Sequence, residues 1–218
     1  MCTMDRDRTI LEISFWKACD FVGISKTNQN HLEGILAPLK DKSPITHFHY
    51  EHSLRVGLLA LDIGNFIHHE AKPLLFAGAL HDLGKCQTCL DVLGKVDTWS
   101  EADQEEMKHH VIDGYRLLRG RFDLTAEVML WHHKFQDEGY PKVLPPFLHD
   151  YRETTKLLIR EYGRIVAIAD VYDALHRVNE KSGGSEPLTS AEIKIKMFEY
   201  NRDRKKLITA LYDAGILT

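Results

Sequence analysis

An adjacent imidazole and carboxylate, His81-Asp82, sit inside the run Leu80-His81-Asp82-Leu83-Gly84-Lys85. Such a pair can hold one divalent cation, and the second carboxylate oxygen of Asp82 can bridge to another. Compatible donors flank it on both sides: His52 before, and His110, His132, His133 and Asp170 after. Together they form an ordered His…His-Asp…His…His-His…Asp series. Nitrogen and oxygen donors without a thiolate suit Fe, Mn, Zn, Ni or Co better than a closed thiolate zinc site. A lone histidine on an apolar helix is more often a hydrogen-bonded core residue than a ligand. It is the ordered set that points to metal. His109 would face about 100° away from His110 on a helix and is left out of the set.

Three other positions invite a chemical reading. Lys85 follows Asp82 by three residues, and its flexible ammonium suits a point-charge contact with a substrate phosphate. Asp173 lies three residues after Asp170, on nearly the same helical face; it either orients a ligand histidine or caps a local network. Cys86-Gln87-Thr88-Cys89 has the spacing of a dithiol, but no second cysteine pair exists to complete a zinc site.

The elements that must position these residues are helices. Alternating apolar patterns are scarce and helical periodicity is common, so an all-α chain is expected. The pattern predicts helices over Thr9 to Phe21, Asn28 to Leu39 and Tyr50 to His69, with a loop at Asp41-Lys42-Ser43-Pro44. The third of these is apolar on more than one face around Val56 to Leu61, the mark of a central, buried helix. Pro73 suits the first turn of a helix running to His81, with Gly84 ending it. Ser100, with Asp103 three residues on, resembles an N-cap and opens one helix that carries His110 and ends near Gly120. A further helix spans Leu124 to His132, and the Gly- and Pro-rich stretch from Lys134 to Pro146 is a loop. Tyr151 to Asn179, as one helix or two, carries Asp170. Lys181 to Pro187 is a polar connector before a terminal pair, Ser190 to Tyr200 and Arg202 to Tyr212.

At 218 residues the chain fits one domain with small terminal additions. A net charge of -4 gives no global basic field, so DNA or RNA binding is not expected. The one basic cluster, Arg202-Asp203-Arg204-Lys205-Lys206, reads as a solvated helix face. Apolar stretches are broken by charge well short of a membrane span, and the charged N-terminus does not resemble a signal peptide. Four cysteines show no disulfide framework. A cytoplasmic location, away from membranes, is the expectation.

The landmarks in order are His52-Ser53-Leu54-Arg55-Val56, His81-Asp82-Leu83-Gly84-Lys85, and His110 with Gly114 four residues on. After them come His132-His133, Gly139-Tyr140-Pro141 and Ala169-Asp170-Val171-Tyr172-Asp173-Ala174-Leu175. This series resembles the HD superfamily of metal-dependent phosphohydrolases, and more narrowly its HD-GYP branch, known for cyclic di-GMP phosphodiesterases. The resemblance implies an HD-domain helical bundle over residues 47–180, with helical additions at 1–46 and 181–218. It implies two divalent ions, Fe or Mn before Zn, Ni or Co. His52, His81, Asp82 and Asp170 would hold the first and Asp82, His110, His132 and His133 the second, with Asp82 bridging. In the family the Gly139-Tyr140-Pro141 loop lies beside the metals and stabilises them. Tyr140 of that loop, Lys85 beside Asp82, and Arg177 in place of the family's Arg-x-Tyr element are the candidate substrate contacts, and Asp82 and Lys85 the catalytic ones.

This chain departs from the family pattern at three places. Lys134 stands where a Glu usually follows the two histidines, in a loop one residue shorter. Phe48 stands where some members have a Glu that supports a third metal, so two ions are expected. The Arg-x-Tyr element that normally follows the Asp-Ala-Leu run is replaced by His176-Arg177-Val178-Asn179. The implied activity is hydrolysis of a small phosphorylated substrate, a nucleotide or cyclic dinucleotide of the cyclic di-GMP type. An HD-type nucleotidase or phosphomonoesterase, or a weakly catalytic ligand-sensing module, are the alternatives. The region up to Thr46 would pack on the core or support a homodimer.

Overall fold

The computed structural model describes residues 3–95, 98–176 and 187–218, and every regular element among them is helical. The chain starts with α1 (Thr3–Phe21) and α2 (Lys26–Asp41). The hydroxyl of Ser25 accepts from the Asn28 N–H and caps α2. Leu32, Leu36 and Leu39 of α2 recur at helical spacing and are buried. Burial of each such side chain stabilises the fold by roughly 1.5–3 kcal/mol.

Helix α3 (Pro44–Phe66) starts at Pro44, not at Tyr50 as the apolar period suggests. The reason is local. Ser43 and Thr46 form a capping box, and Pro44 sits in the first turn, where its missing N–H costs nothing. Val56, Ala60, Leu61 and Ile63 are all buried, so α3 is the central helix that its sequence indicates. Helix α4 (Ala71–Leu80) crosses it at a glycine pair: a Cβ on Gly78 would lie 2.7 Å from Gly57 Cα. Only a hydrogen on both residues lets the backbones approach this closely. The crossing sets the C-terminal end of α4, and so His81, beside His52.

After a 3₁₀ turn (Leu83–Cys86) come α5 (Leu90–Leu93), α6 (Glu101–Lys108), α7 (His110–Leu118) and α8 (Asp123–Met129). The single helix expected from Ser100 to Gly120 is thus divided at His109, although its Ser100–Asp103 capping box is present. α8 ends at Met129, which leaves His132 and His133 on the turn that follows. α9 (Glu153–Leu175) is one helix, followed by α10 (Ser190–Tyr200) and, after a 3₁₀ turn (Arg202–Arg204), α11 (Lys205–Asp213). The expected connector at Lys181 to Pro187 lies almost wholly outside the described residues.

Two apolar clusters meet along α3 and α4. One takes Phe15 and Cys19 of α1, the α2 leucines, Leu54 and Leu80, and Val111 and Leu118 of α7. The other joins Val56 and Ile63 to Ile165 and Ile168 of α9, and reaches Met197, Ile208 and Leu211 of the terminal pair. No described helix is long and apolar enough to cross a membrane.

Candidate metal centre

Four elements converge on one buried spot. His52 comes from α3, His81 and Asp82 from the end of α4, His110 from the start of α7, and Asp170 from α9. The 3₁₀ turn that contains Gly84 lies against α7, where a Cβ would come within 1.8 Å of the His110 carbonyl oxygen. Glycine at 84 is therefore what allows His110 to stand next to Asp82.

The donors fall into two groups. One atom each from His52, His81 and Asp170, and likewise from His110, His132 and His133, lie within 4.8 Å of one another. Asp82 sits between the groups. Its Oδ2 is 3.5 Å from His52 Nε2 and 3.4 Å from His81 Nε2, while its Oδ1 is 3.3 Å from His110 Nε2. Asp170 Oδ1 is 3.1 Å from His52 Nε2.

The outward faces of the imidazoles fix their tautomers. His81 Nδ1 donates to the Gly78 carbonyl at 2.7 Å, His110 Nδ1 to Met107 at 2.5 Å, and His132 Nδ1 to Met129 at 2.5 Å. Each acceptor lies three residues back along the chain. His52 Nδ1 donates instead to Asp173 Oδ2 at 2.7 Å. Every Nε2 of these four is left facing inward, the arrangement that orients histidines towards a cation. Those of His81, His110 and His132 are buried without a hydrogen-bond partner, and buried polar atoms are rarely left so unless something else satisfies them. With Asp82 and Asp170 they make a nitrogen–oxygen donor set that fits divalent first-row cations.

Protonation states follow from burial and charge. Burial pushes His110 down to about 4 and His132 down to about 3, the latter helped by the neighbouring His81. His133 is likewise held well below its ordinary value, first by burial. All three carry usable lone pairs at neutral pH. Burial acts on His81 in the same direction, but Asp82 and Asp170 outweigh it and raise this group to about 10. Burial raises the carboxyl of Asp82; His81 and Lys85 outweigh it and keep Asp82 ionised.

Of the candidate substrate contacts, Lys85 Nζ donates to Asp82 Oδ2 at 2.5 Å. Tyr140 stacks on the His133 ring, with centroids 4.4 Å apart and planes at 26°. Arg177 lies outside the described residues. Of the two roles open to Asp173, the structure displays a histidine-orienting one: besides His52 it accepts from Arg55 Nε at 2.6 Å and Nη2 at 3.2 Å. Cys86 and Cys89 are free thiols.

Three features escaped the sequence reading. His49, one turn before His52, has its Nδ1 4.0 Å from Asp82 Oδ2; the three-residue spacing to His52 was the signal available for it. Arg55, three residues beyond His52, pairs with Asp173. The basic cluster after Tyr200 is not simply a solvated face. Arg164 of α9 makes two bonds to Asp203, at 3.1 and 2.7 Å, and Arg204 makes two to Glu161. These bonds bring Tyr200 and Arg202 to the wall of a cavity of about 950 Å³ that also exposes His52, Lys85, His110 and Asp170.

A model of the HD domain family matches residues 49–175. This chain belongs to the HD domain family. It is 36% identical over 124 residues to the cyclic di-GMP phosphodiesterase response regulator RpfG of Xanthomonas campestris pv. campestris (strain 8004), covering 55% of this chain and 30% of that protein. It is 33% identical over 134 residues to a cyclic di-GMP phosphodiesterase of Thermotoga maritima, covering 58% of this chain and 34% of the relative. A 3'3'-cGAMP-specific phosphodiesterase 1 of Vibrio cholerae is 27% identical over 146 residues, 63% of this chain and 31% of that protein. The chain thus spans about a third of the length of these curated relatives. Among solved structures, the HD domain of L. monocytogenes phosphodiesterase PgpH superposes with a TM-score of 0.56 at 19% identity, covering 84% of this chain and 95% of that one. The same domain has been solved in complex with cyclic-di-AMP. At this identity the likeness is one of fold. The all-α HD architecture and the kinship with HD phosphohydrolases that the motifs imply both hold.

Proposed function

We propose that this chain is a metal-dependent phosphodiesterase with a binuclear centre, acting on a cyclic dinucleotide of the cyclic di-GMP type. The observation that carries the reading is the pair of three-donor groups with Asp82 between them. His52, His81, Asp82 and Asp170 would hold one ion, and Asp82, His110, His132 and His133 the other, Fe or Mn in preference to Zn, Ni or Co. Two such cations would neutralise phosphoryl charge and lower the pKa of a bound water. The curated relatives that this chain resembles are named as cyclic dinucleotide phosphodiesterases, which supports the reading.

The protein's own groups have separable tasks in this reading. The carbonyls of Gly78, Met107 and Met129 hold three imidazoles by Nδ1 and aim their Nε2 inward; His110 and His132 are neutral there, while His81 would give up its Nε2 proton to a cation. Lys85 is ready to exchange its contact with Asp82 for a substrate phosphate oxygen. Tyr140 braces the His133 ring and walls the cleft. Arg177 is the remaining candidate contact to substrate. The cavity of about 950 Å³ beside the donors has room for a dinucleotide. Residues 47–180 form the hydrolase core in this reading, with 1–46 and 181–218 as helical additions.

The test is elemental analysis of anaerobically purified protein, then cyclic di-GMP turnover on the same sample. About two metals per chain with linear dinucleotide or GMP as product is the expected result. Asp82→Ala should abolish metal retention and turnover together. Activity that survives this substitution would sink the assignment.

A further inference from the structure

The most informative feature outside the metal ligands is the far wall of their cavity. It is built by the end of α10 and the 3₁₀ turn after it, a segment beyond the residues matched by the HD family model. Tyr200 is the last residue of α10 and is 57% exposed, a large aromatic group left open on a cavity wall. Arg202 follows it on the same wall.

The wall is held rigidly to the helix that carries Asp170. Arg164 and Asp203 form a two-bond ion pair, as do Arg204 and Glu161, and both pairs tie the turn to α9. Asn201 is buried, and its amide donates to the Met197 carbonyl at 2.8 Å, which closes the turn from within. Ala167 and Ala174 of α9 face the same cavity with minimal side chains, so the space between the wall and Asp170 stays open. Two ion pairs and a buried amide are a large investment in holding an exposed tyrosine and arginine in place.

The chemistry of the wall narrows its ligand. Arg164 is committed to Asp203 and to the Phe135 ring, 5.0 Å from its guanidinium. Glu199 and Asp137 on the same rim present acceptors. Among the described residues that line the cavity, with Lys85 beside the metal ligands and Arg164 already paired, positive charge for a second phosphate comes from Arg202. Exposed aromatic rings such as those of Tyr200 and Phe135 stack on nucleobases in a sequence-tolerant way.

We infer that Tyr200 and Arg202 form a nucleotide-recognition wall, where Tyr200 stacks on a base and Arg202 contacts the phosphate that is not being cleaved. The inference rests on the phosphodiesterase reading for its substrate.

The test uses the full chain loaded with Mn²⁺, with separate measurement of kcat and KM for cyclic di-GMP and calorimetric titration with GMP. Tyr200→Ala and Arg202→Ala should each raise KM by roughly 5- to 150-fold, the range that loss of one stacked base or charged contact produces. kcat should stay within about threefold, and metal content and melting temperature should not change. Tyr200→Phe should restore the wild-type KM, because stacking needs the ring and not the hydroxyl. Unchanged KM in both alanine variants would overturn the inference, as would an equal effect of Tyr200→Phe. Wild-type protein that cleaves bis(p-nitrophenyl) phosphate but neither binds nor cleaves nucleotides would overturn the wall and leave the hydrolase reading standing. Protein that binds GMP through Tyr200 yet hydrolyses no phosphodiester would do the reverse.

Discussion

Replacing Asp173 by Asn removes one negative charge behind the centre and leaves the shape of the side chain nearly unchanged. The carboxylate accepts one bond from His52 and two from Arg55. Burial raises its pKa, but His52 and Arg55 prevail and hold it well below the usual carboxylate range. Asparagine has one acceptor oxygen. If that oxygen faces Arg55, the amide NH2 faces His52 Nδ1. The imidazole must then carry its proton on Nε2, the atom 3.1 Å from Asp170 that would otherwise bind metal. If the oxygen faces His52, two sets of donors oppose each other at Arg55. A hydrogen bond to a charged group contributes roughly 1.5–3 kcal/mol. The Arg55 side chain is 38% exposed, so solvent screening reduces its share to about 0.5 kcal/mol. Asp173→Asn should therefore cost about 2 kcal/mol of stability in metal-free protein. Loss of the group that orients a metal-binding histidine weakens affinity by about 10- to 100-fold. The assay is competition for Mn²⁺ against a chelating dye, with thermal melting alongside. Arg55→Met is the control, because it breaks the ion pair and spares the bond to His52. It should lower melting temperature and leave Mn²⁺ affinity within about threefold. Equal loss of affinity in the two variants, or none in Asp173→Asn, would refute the orienting role.

Acidification should destabilise metal-free protein. His110 and His132 have folded values of about 4 and about 3 against an unperturbed 6.5. Their contribution is present above 6.5 and is lost as pH falls towards those values. At pH 5 each has lost about 2 kcal/mol, and His133 adds to the loss. His81, raised to about 10, has the opposite sign. Its contribution is complete below 6.5 and is lost as pH rises through 10, so between pH 8 and pH 5 it returns about 2 kcal/mol. A net loss of at least about 2 kcal/mol remains, and a melting temperature that rises from pH 8 to pH 5 in chelator-treated protein would contradict it. Gly84→Ala puts a Cβ 1.8 Å from the His110 carbonyl oxygen. It should cost about 3 kcal/mol and halve the bound metal, as read by urea titration and elemental analysis. Asp203→Asn leaves the buried Arg164 guanidinium without its counter-charge. Because the Asp203 side chain is 54% exposed, the loss should be about 1–2 kcal/mol by urea titration, well short of that for a fully buried pair.

The donor types and their order were legible in the sequence because they are local facts. An HD dipeptide followed by Gly84, a doubled histidine before Gly139-Tyr140-Pro141, and an Asp170-x-x-Asp173 pair announce themselves without a fold. Helical content was equally readable, since the 3.6-residue period follows from which faces must be buried. Helix ends were read less well. Side chains set them by competing for backbone groups: the Ser43–Thr46 box starts α3 early, and α6 and α7 divide at His109.

Tertiary structure decided which donors share a neighbourhood. His52 and Asp173 are bonded although 121 residues separate them, and no periodicity reports a pairing across that interval. The closeness of His52 and His81 depends on two glycines that let α3 and α4 cross in contact, and that of His110 and Asp82 on a third. Each is an unremarkable residue until the chain is folded. The same holds for the basic run after Tyr200. In sequence it is a charged helix face. In the fold, Asp203 and Arg204 are occupied with partners on α9, and Tyr200 and Arg202 are left facing the cleft. Charge is written in the sequence, but whether a charge meets solvent, a counter-ion or a substrate is settled by packing.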